Sequence, residues 1–298
     1  MDHLKSLDCL DVYEDSIHYT TIDGKPIDES ILQNIQEAIL HHSYANGHGV
    51  ILYGWAEIVA GAFAGCSNLK SIVIPEGTTV LGKYAFYGCS NLEFVSIPKS
   101  VKEIDKHVFD QCKKLQSISI PNGVVEIKDS SFFGCSNLTS IAIPNSVKII
   151  GDAAFQHCSS LQSIVLPEAL VQIGQSAFCG CMQLKNIIIP DTITEMREFT
   201  FAYCENIESI TLSQNTTKIW EEVFSSCINL KSITIPASVT QIGYRAFYHS
   251  GVTLILCHSL IPPILEMEVF EGTPRHKRLV VPQRSENIYR ASRWAEFL

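Results

Sequence analysis

Phenylalanine recurs at Phe63, Phe86, Phe109, Phe132, Phe155, Phe178, Phe201, Phe224, Phe247 and Phe270, ten positions at a constant step of 23 residues. A fixed period of this size is what stacked units leave in a sequence, because each unit buries its apolar side chains only against its neighbours. Two further columns keep the step. Cysteine stands at Cys66, Cys89, Cys112, Cys135, Cys158, Cys181, Cys204 and Cys227 before Ser250 breaks the series. Proline stands at Pro75, Pro98, Pro121, Pro144, Pro167, Pro190, Pro236 and Pro282, with Ser213 and Ser259 in the two gaps. One elongated array is therefore expected, although 298 residues would otherwise suggest about two domains.

A single unit shows how a coil should form. In residues 115–137, LQSISIPNGVVEIKDSSFFGCSN, the run Leu115, Ile118, Ile120 reads as a short strand that Pro121 ends, since proline has no N–H to give a ladder. Val124 and Ile127 return the chain to the core. The segment around Phe132 reads as a tight helical turn that drives the ring inward. Glycine after the phenylalanine (Gly65, Gly88, Gly134, Gly180) suggests positive φ or a close backbone approach. Stacked, these units give an α/β solenoid with one parallel β-sheet face and a buried column of Phe86, Phe109, Phe132, Phe155, Phe178, Phe201 and Phe224. Neighbouring cysteines would lie roughly 4.7–4.9 Å apart with parallel Cβ vectors. Cys89, Cys112, Cys135, Cys158 and their column are thus expected to be free, buried thiols. Any reactive thiol should be off the column, at Cys9, Cys179 or Cys257.

The ends lack the repeat. Residues 1–48 read as an N-terminal cap: a hairpin over Ile17–Ile27 around Asp23-Gly24, then a helix with Ile31, Leu32, Ile35, Ala38 and Ile39 on one face. Asp28 or Ser30 would cap that helix and Asn46-Gly47 would stop it. The array is assigned to 49–272, opening with an irregular coil through Val50, Ile51, Trp55 and Ile58. Residues 273–298 form a closing strand and a helix over Ser285–Phe297, with Ile288, Ala291, Trp294, Ala295 and Phe297 facing the last coil. Such caps are needed because an open solenoid end exposes core and strand edge.

Composition removes several classes of function. A net charge of −9 argues against nucleic acid as a partner, and the basic run Arg275-His276-Lys277-Arg278 is short enough to be a solvated loop. No stretch approaches the roughly 20 apolar residues of a transmembrane segment. The opening MDHLKSLDCLDVYEDS has neither a basic start nor an apolar h-region, so no secretory signal is expected within it. The reading is compatible with a cytosolic chain and with an exported one whose signal lies outside this sequence. His41-His42, at the end of the expected helix, has no metal-site partners, and Cys179-Gly180-Cys181 is too tight for a zinc or redox motif. GxSxG, P-loop and GxGxxG motifs are absent. The acidic stretch Asp191–Glu222 (Glu195, Glu198, Glu205, Glu208, Glu221) reads as a solvated face. No catalytic residue, metal or cofactor is expected.

What remains is surface. Two outward columns should line the strand face: Ser71, Phe94, Ser117, Ser140, Ser163, Asn186, Ser209, Ser232, and Val73, Ser96, Ser119, Ala142, Val165, Ile188, Thr211, Thr234. The face is small, polar and nearly uncharged. Its exceptions, Val73, Phe94, Val165 and Ile188, with Asn186 beside them, are the candidate ligand contacts.

The unit in Leu138–Ser160, LTSIAIPNSVKIIGDAAFQHCSS, resembles the BspA-like, or Treponema-type, leucine-rich repeat. The match spans roughly residues 49–282, and the flanks IHYTTIDGKPI and Val281–Phe297 are similar to the usual ends of such proteins in Bacteroidetes. The resemblance implies a right-handed leucine-rich-repeat superhelix. It also implies a bacterial cell-surface or secreted protein that binds host proteins, glycans or other cells as a non-enzymatic adhesin. A spacer or scaffold that displays other domains is the alternative; a hydrolase has no motif to support it.

Overall fold

The computed structural model describes residues 16–298; Cys9 lies outside them. Each coil has three sides. On the first, short strands stack in parallel and in register: Ser71 pairs with Phe94, Ser117 with Ser140, Asn186 with Ser209, and Ser232 with Leu254. On the second, two-residue strands the sequence did not announce form three successive parallel ladders, the first beginning with Glu57–Ile58 and Val80–Leu81 and the last ending at Ile264–Leu265. Buried Ile58, Leu81, Ile104, Ile127 and Ile150 point from it into the core.

The third side carries the phenylalanines, and its turns are not helical. Left-handed residues stand two positions before and after each ring, as Ala153 (φ 54°) and His157 (φ 60°) do around Phe155. They prevent the N–H of Phe155 from closing a helical turn; it donates instead to Ala177 O of the next coil at 2.8 Å. The recurrent glycines occupy the second of these places, with Gly134 at φ 68° and Gly180 at φ 74°. The rings stack nearly parallel, with centroids 5.2 to 6.1 Å apart. Phe63 to Phe247 are fully buried, and Phe270 is 8% exposed.

The cysteine column completes this side. Phe132 O accepts Cys135 N–H within its own coil and the Cys158 thiol of the next coil, at 3.2 and 3.1 Å. The same thiol-to-carbonyl bond repeats from Cys89 to Cys227. A cysteine thus fills a small apolar space and uses the second lone pair of a buried carbonyl. Burial raises every thiol of the column, Cys66 to about 12, so almost none is thiolate at neutral pH. Cys179 and Cys257 are buried too. Burial pushes Cys179 to about 11, and Cys257 shares its thiol with Tyr289 Oη at 3.1 Å, so neither is the reactive thiol expected. A maleimide should therefore label none of the ten described cysteines in native protein during a time that labels all of them in denaturant. Rapid native labelling of the column, read by mass spectrometry, would contradict this packing.

Both ends differ from the sequence reading. β1 (Ser16–Thr21) does not fold back at Asp23-Gly24; it lies between β3 (His48–Tyr53) and the first repeat strand, Leu69–Val73, antiparallel to both. The hairpin is β2 (Ile39–Ala45) with β3, turned by Asn46 (φ 53°) and Gly47 (φ 85°). Asn-Gly adopts positive φ at both central positions, which is the twist a tight hairpin needs. The expected helix is one short turn, α1 (Glu29–Leu32), capped by Asp28 and continued as a 3-10 segment to Ala38. Leu32 and Ile35 are buried and Ile31 and Ile39 pack against the core, while the Ala38 side chain lies outside the described residues. Val50 and Ile51 belong to β3, so no irregular coil opens the array there.

At the other end, Ser285–Phe297 is not one helix. α2 (Glu286–Arg290) stops at Ala291, and Ser292 caps a separate 3-10 turn through Trp294 N. Ile288 (53% exposed), Ala291 and Ala295 face outward, Trp294 and Phe297 cover Phe270, and Tyr289 packs on Trp294. Tyr289 Oη donates to Ser259 O and Trp294 Nε1 to Pro263 O, at 3.0 and 2.8 Å.

Candidate binding face

The strand face is built by alternation. Ile164 and Leu166, like Ile187 and Ile189, are buried, so the side chains that alternate with them, Ser163 and Val165 or Asn186 and Ile188, point to solvent. Val165 is 82% exposed, Ile188 71%, Phe94 53% and Val73 42%, and Asn186 is exposed as well. These five do not form one site. Val73 and Phe94 lie on the first two repeat strands, whereas Val165, Asn186 and Ile188 lie near the middle, with the polar strands Ser117–Ser119 and Ser140–Ala142 between them. The middle patch also sits where pairing is sparse, since Ser163 makes a single bridge to Asn186 and its coil has no strand on this side. Ser209 Oγ donates to Asn186 Oδ1 at 2.6 Å, which fixes the amide beside Ile188.

The sequence missed that the face runs on into the N-terminal strands. β1 pairs His18 with Val73 and Thr20 with Ser71, and the two hydroxyls are 2.6 Å apart. β3 then pairs Val50 with His18 and His48 with Thr20. A row from His48 through Thr20 and Ser71 to Phe94 therefore crosses one five-stranded sheet. The signal was the Asn46-Gly47 turn, which would have made β3 a strand.

Among the described residues no group of three or more His, Cys, Asp or Glu side chains is placed to hold a metal ion. His41-His42 lies in β2 rather than at a helix end. His42 Nε2 is 2.8 Å from Tyr19 Oη, and burial lowers its pKa. Glu195 accepts from Trp220 Nε1 and Asp191 from Gln214 N, so parts of the acidic stretch bridge coils. Arg275 and His276 are exposed in a loop, and Arg278 begins the last strand. Among the described residues no helix is long and apolar enough to cross a membrane.

A family profile described as BspA type leucine rich repeat region matches residues 56–160 and 148–277, in six copies. The chain belongs to the BspA type leucine-rich repeat family. Two solved structures agree in fold. A leucine-rich repeat protein from Bacteroides ovatus is 22% identical, with 73% of this chain and 75% of that one covered and a TM-score of 0.51. The pneumococcal vaccine antigen PcpA is 16% identical over 80% of this chain and 75% of its own, at a TM-score of 0.50. A leucine rich cell surface protein from Faecalibacterium prausnitzii is 25% identical over 79% of each chain, at 0.44. No curated protein matches significantly. A BspA type repeat array is consistent with a protein-interaction module, its long strand face being the surface a solenoid offers to partners.

Proposed function

We propose that the chain is a non-enzymatic adhesion module that grips a protein or glycan partner through the strand face. It would work at the cell surface or outside the cell, as the family resemblance implies. The end segments 1–48 and 273–298 would act as caps on the array, the first of them running on through β3 to Tyr53. The observation that carries the reading is the exposure of Val165 and Ile188, 82% and 71%, on a face whose neighbouring strands, Ser117–Ser119, Ser140–Ala142 and Ser209–Thr211, present small uncharged residues. Apolar anchors ringed by polar neighbours supply most of the affinity in protein interfaces.

The test is binding of the intact chain to immobilised extracellular-matrix proteins, serum proteins and cell-surface glycans. Phe94→Ser with Ile188→Ser should weaken the interaction about tenfold or more, since losing about 1.4 kcal/mol is a factor of ten. Thermal stability should hold, both side chains being exposed. A double variant that binds as the parent does would instead favour a spacer or scaffold.

A further inference from the structure

A different part of the surface, away from the strand face, is uncovered. On the phenylalanine side, the space over the recurrent glycine is filled in three coils. A Cβ at Gly134 would lie 2.5 Å from Gln111 Nε2, at Gly180 2.6 Å from His157 Nδ1, and at Gly272 2.5 Å from His249 Nδ1. In each case the side chain of the preceding coil lies across the glycine. The first two coils are different. Nothing stands within 4 Å of a Cβ on Gly65, and one on Gly88 would meet only the Gly65 backbone, at 3.7 Å. The result is an open ledge of bare backbone.

Two tyrosines border it. Tyr84 and Tyr87 are 38% and 42% exposed, with ring centroids 5.7 Å apart and planes at 85°. One repeat step before them stand Gly61 and Ala64, which are too small to cover either ring. The Gly61 and Gly65 N–H groups donate to Lys83 O and Tyr87 O, tying the ledge to the tyrosine coil. Tyr84 is braced from behind by His107, stacked at 4.7 Å and held through Nδ1 by Asp110 Oδ2 at 2.9 Å. Lys83 Nζ lies 4.9 Å from the Tyr84 ring centre and makes no ion pair among the described residues. Lys106 is paired with Asp129, and Asp110 is buried against His107, so the ammonium of Lys83 has no carboxylate partner here.

We propose that this ledge binds an acidic saccharide: a pyranose stacked on the exposed ring of Tyr87, with its carboxylate on Lys83. The C–H face of a sugar carries the partial positive charge that the negative face of an aromatic ring attracts. Gly65 and Gly88 let the ring approach the backbone closely, which a side chain at either place would block. Lys83 supplies a compact, hydrated point charge suited to a freely oriented carboxylate. The strand face shares none of these residues, so the two sites can be tested separately.

Saturation-transfer NMR on the full chain would use oligosaccharides of hyaluronan and of polygalacturonate, with chitotetraose as the neutral probe. Transfer to at least one acidic probe, and much less to chitotetraose, is expected. Tyr87→Ala and Lys83→Gln should each weaken the association on the order of tenfold, while Ile188→Ser on the strand face leaves it unchanged. Circular dichroism and thermal melting confirm that each variant is folded. Absence of transfer to both acidic probes, equal transfer to chitotetraose, or folded Tyr87 and Lys83 variants that bind as the parent does would each overturn the assignment.

Discussion

Phe155→Ala is expected to cost about 3–5 kcal/mol, the range for removing a fully buried ring that its surroundings cannot replace. Phe155 has no exposed surface, and its ring is stacked between Phe132 and Phe178 with both centroids at 5.4 Å and interplanar angles of 3° and 7°. Neither neighbour can move into the gap. Each is fixed by its own stack on the far side, and the backbone is held by Phe155 N to Ala177 O and by the Cys181 thiol on Phe155 O. The melting midpoint should fall by roughly 10 °C, taking a few degrees per kcal/mol for a chain of this size. Because a solenoid couples each coil only to its neighbours, the loss should also divide the unfolding transition, so that amide exchange accelerates around coil 155 before it does at the ends. Phe63→Ala offers the comparison. Among the described residues that ring stacks on Phe86 alone, and its loss should cost less than that of Phe155. A Phe155 variant that melts with the parent would show that the column is not what holds the coils together.

The array was legible because its cause is periodic. A residue that fills the same place in ten coils leaves ten identical marks, and Phe, Cys and Pro each mark one corner of the coil. Side chains that act once leave no such trace. The helical turn expected around Phe132 is absent because two left-handed residues flank each ring, and only the glycines among them were visible. Gln111, His157, Tyr203, Ser226 and His249 hold the same conformation without being glycine, with φ from 53° to 61°. Asp23-Gly24 looked like a hairpin and Asn46-Gly47 like a helix stop. The second pair makes the hairpin because β2 and β3 bury Ile51 and Tyr19 against the first coil, a partnership tens of residues away that local propensity does not encode. At the C-terminus the apolar residues fit one helical face, yet only Tyr289, Trp294 and Phe297 reach the core. Ser292 splits the segment by capping a new turn. The strand face was legible as two columns of outward residues. That its middle is poorly paired, and that β1 and β3 extend it, depended on the same distant pairing.

Gly49→Ala should be nearly as damaging as losing a core ring, although it adds only one methyl group. Gly49 lies in β3 between Tyr19 of β1 and Tyr44 of β2 in register, and the Tyr19 ring rests directly on its Cα. A Cβ built there would lie 1.9 Å from Tyr19 Cζ, so the ring would have to leave. Tyr19 is 2% exposed, and burial pushes its phenol up to about 12. Its Oη accepts from Ile27 N at 3.3 Å and meets His42 Nε2 at 2.8 Å, and its ring lies 5.9 Å from that of Tyr44. Expelling it would uncover the end of the first coil and leave buried polar groups without partners, at a cost of about 3 kcal/mol or more. The damage should stay local. Exchange protection should fall over β1 to β3 and the first repeat strand, while the middle of the array keeps its own. Tyr19→Leu provides the control, since it removes the obstructing ring tip. Placed on that background, Gly49→Ala should cost well under 1 kcal/mol, because the two effects couple through a single contact. If Gly49→Ala destabilised both backgrounds equally, the glycine would be required by its backbone and not by the tyrosine above it.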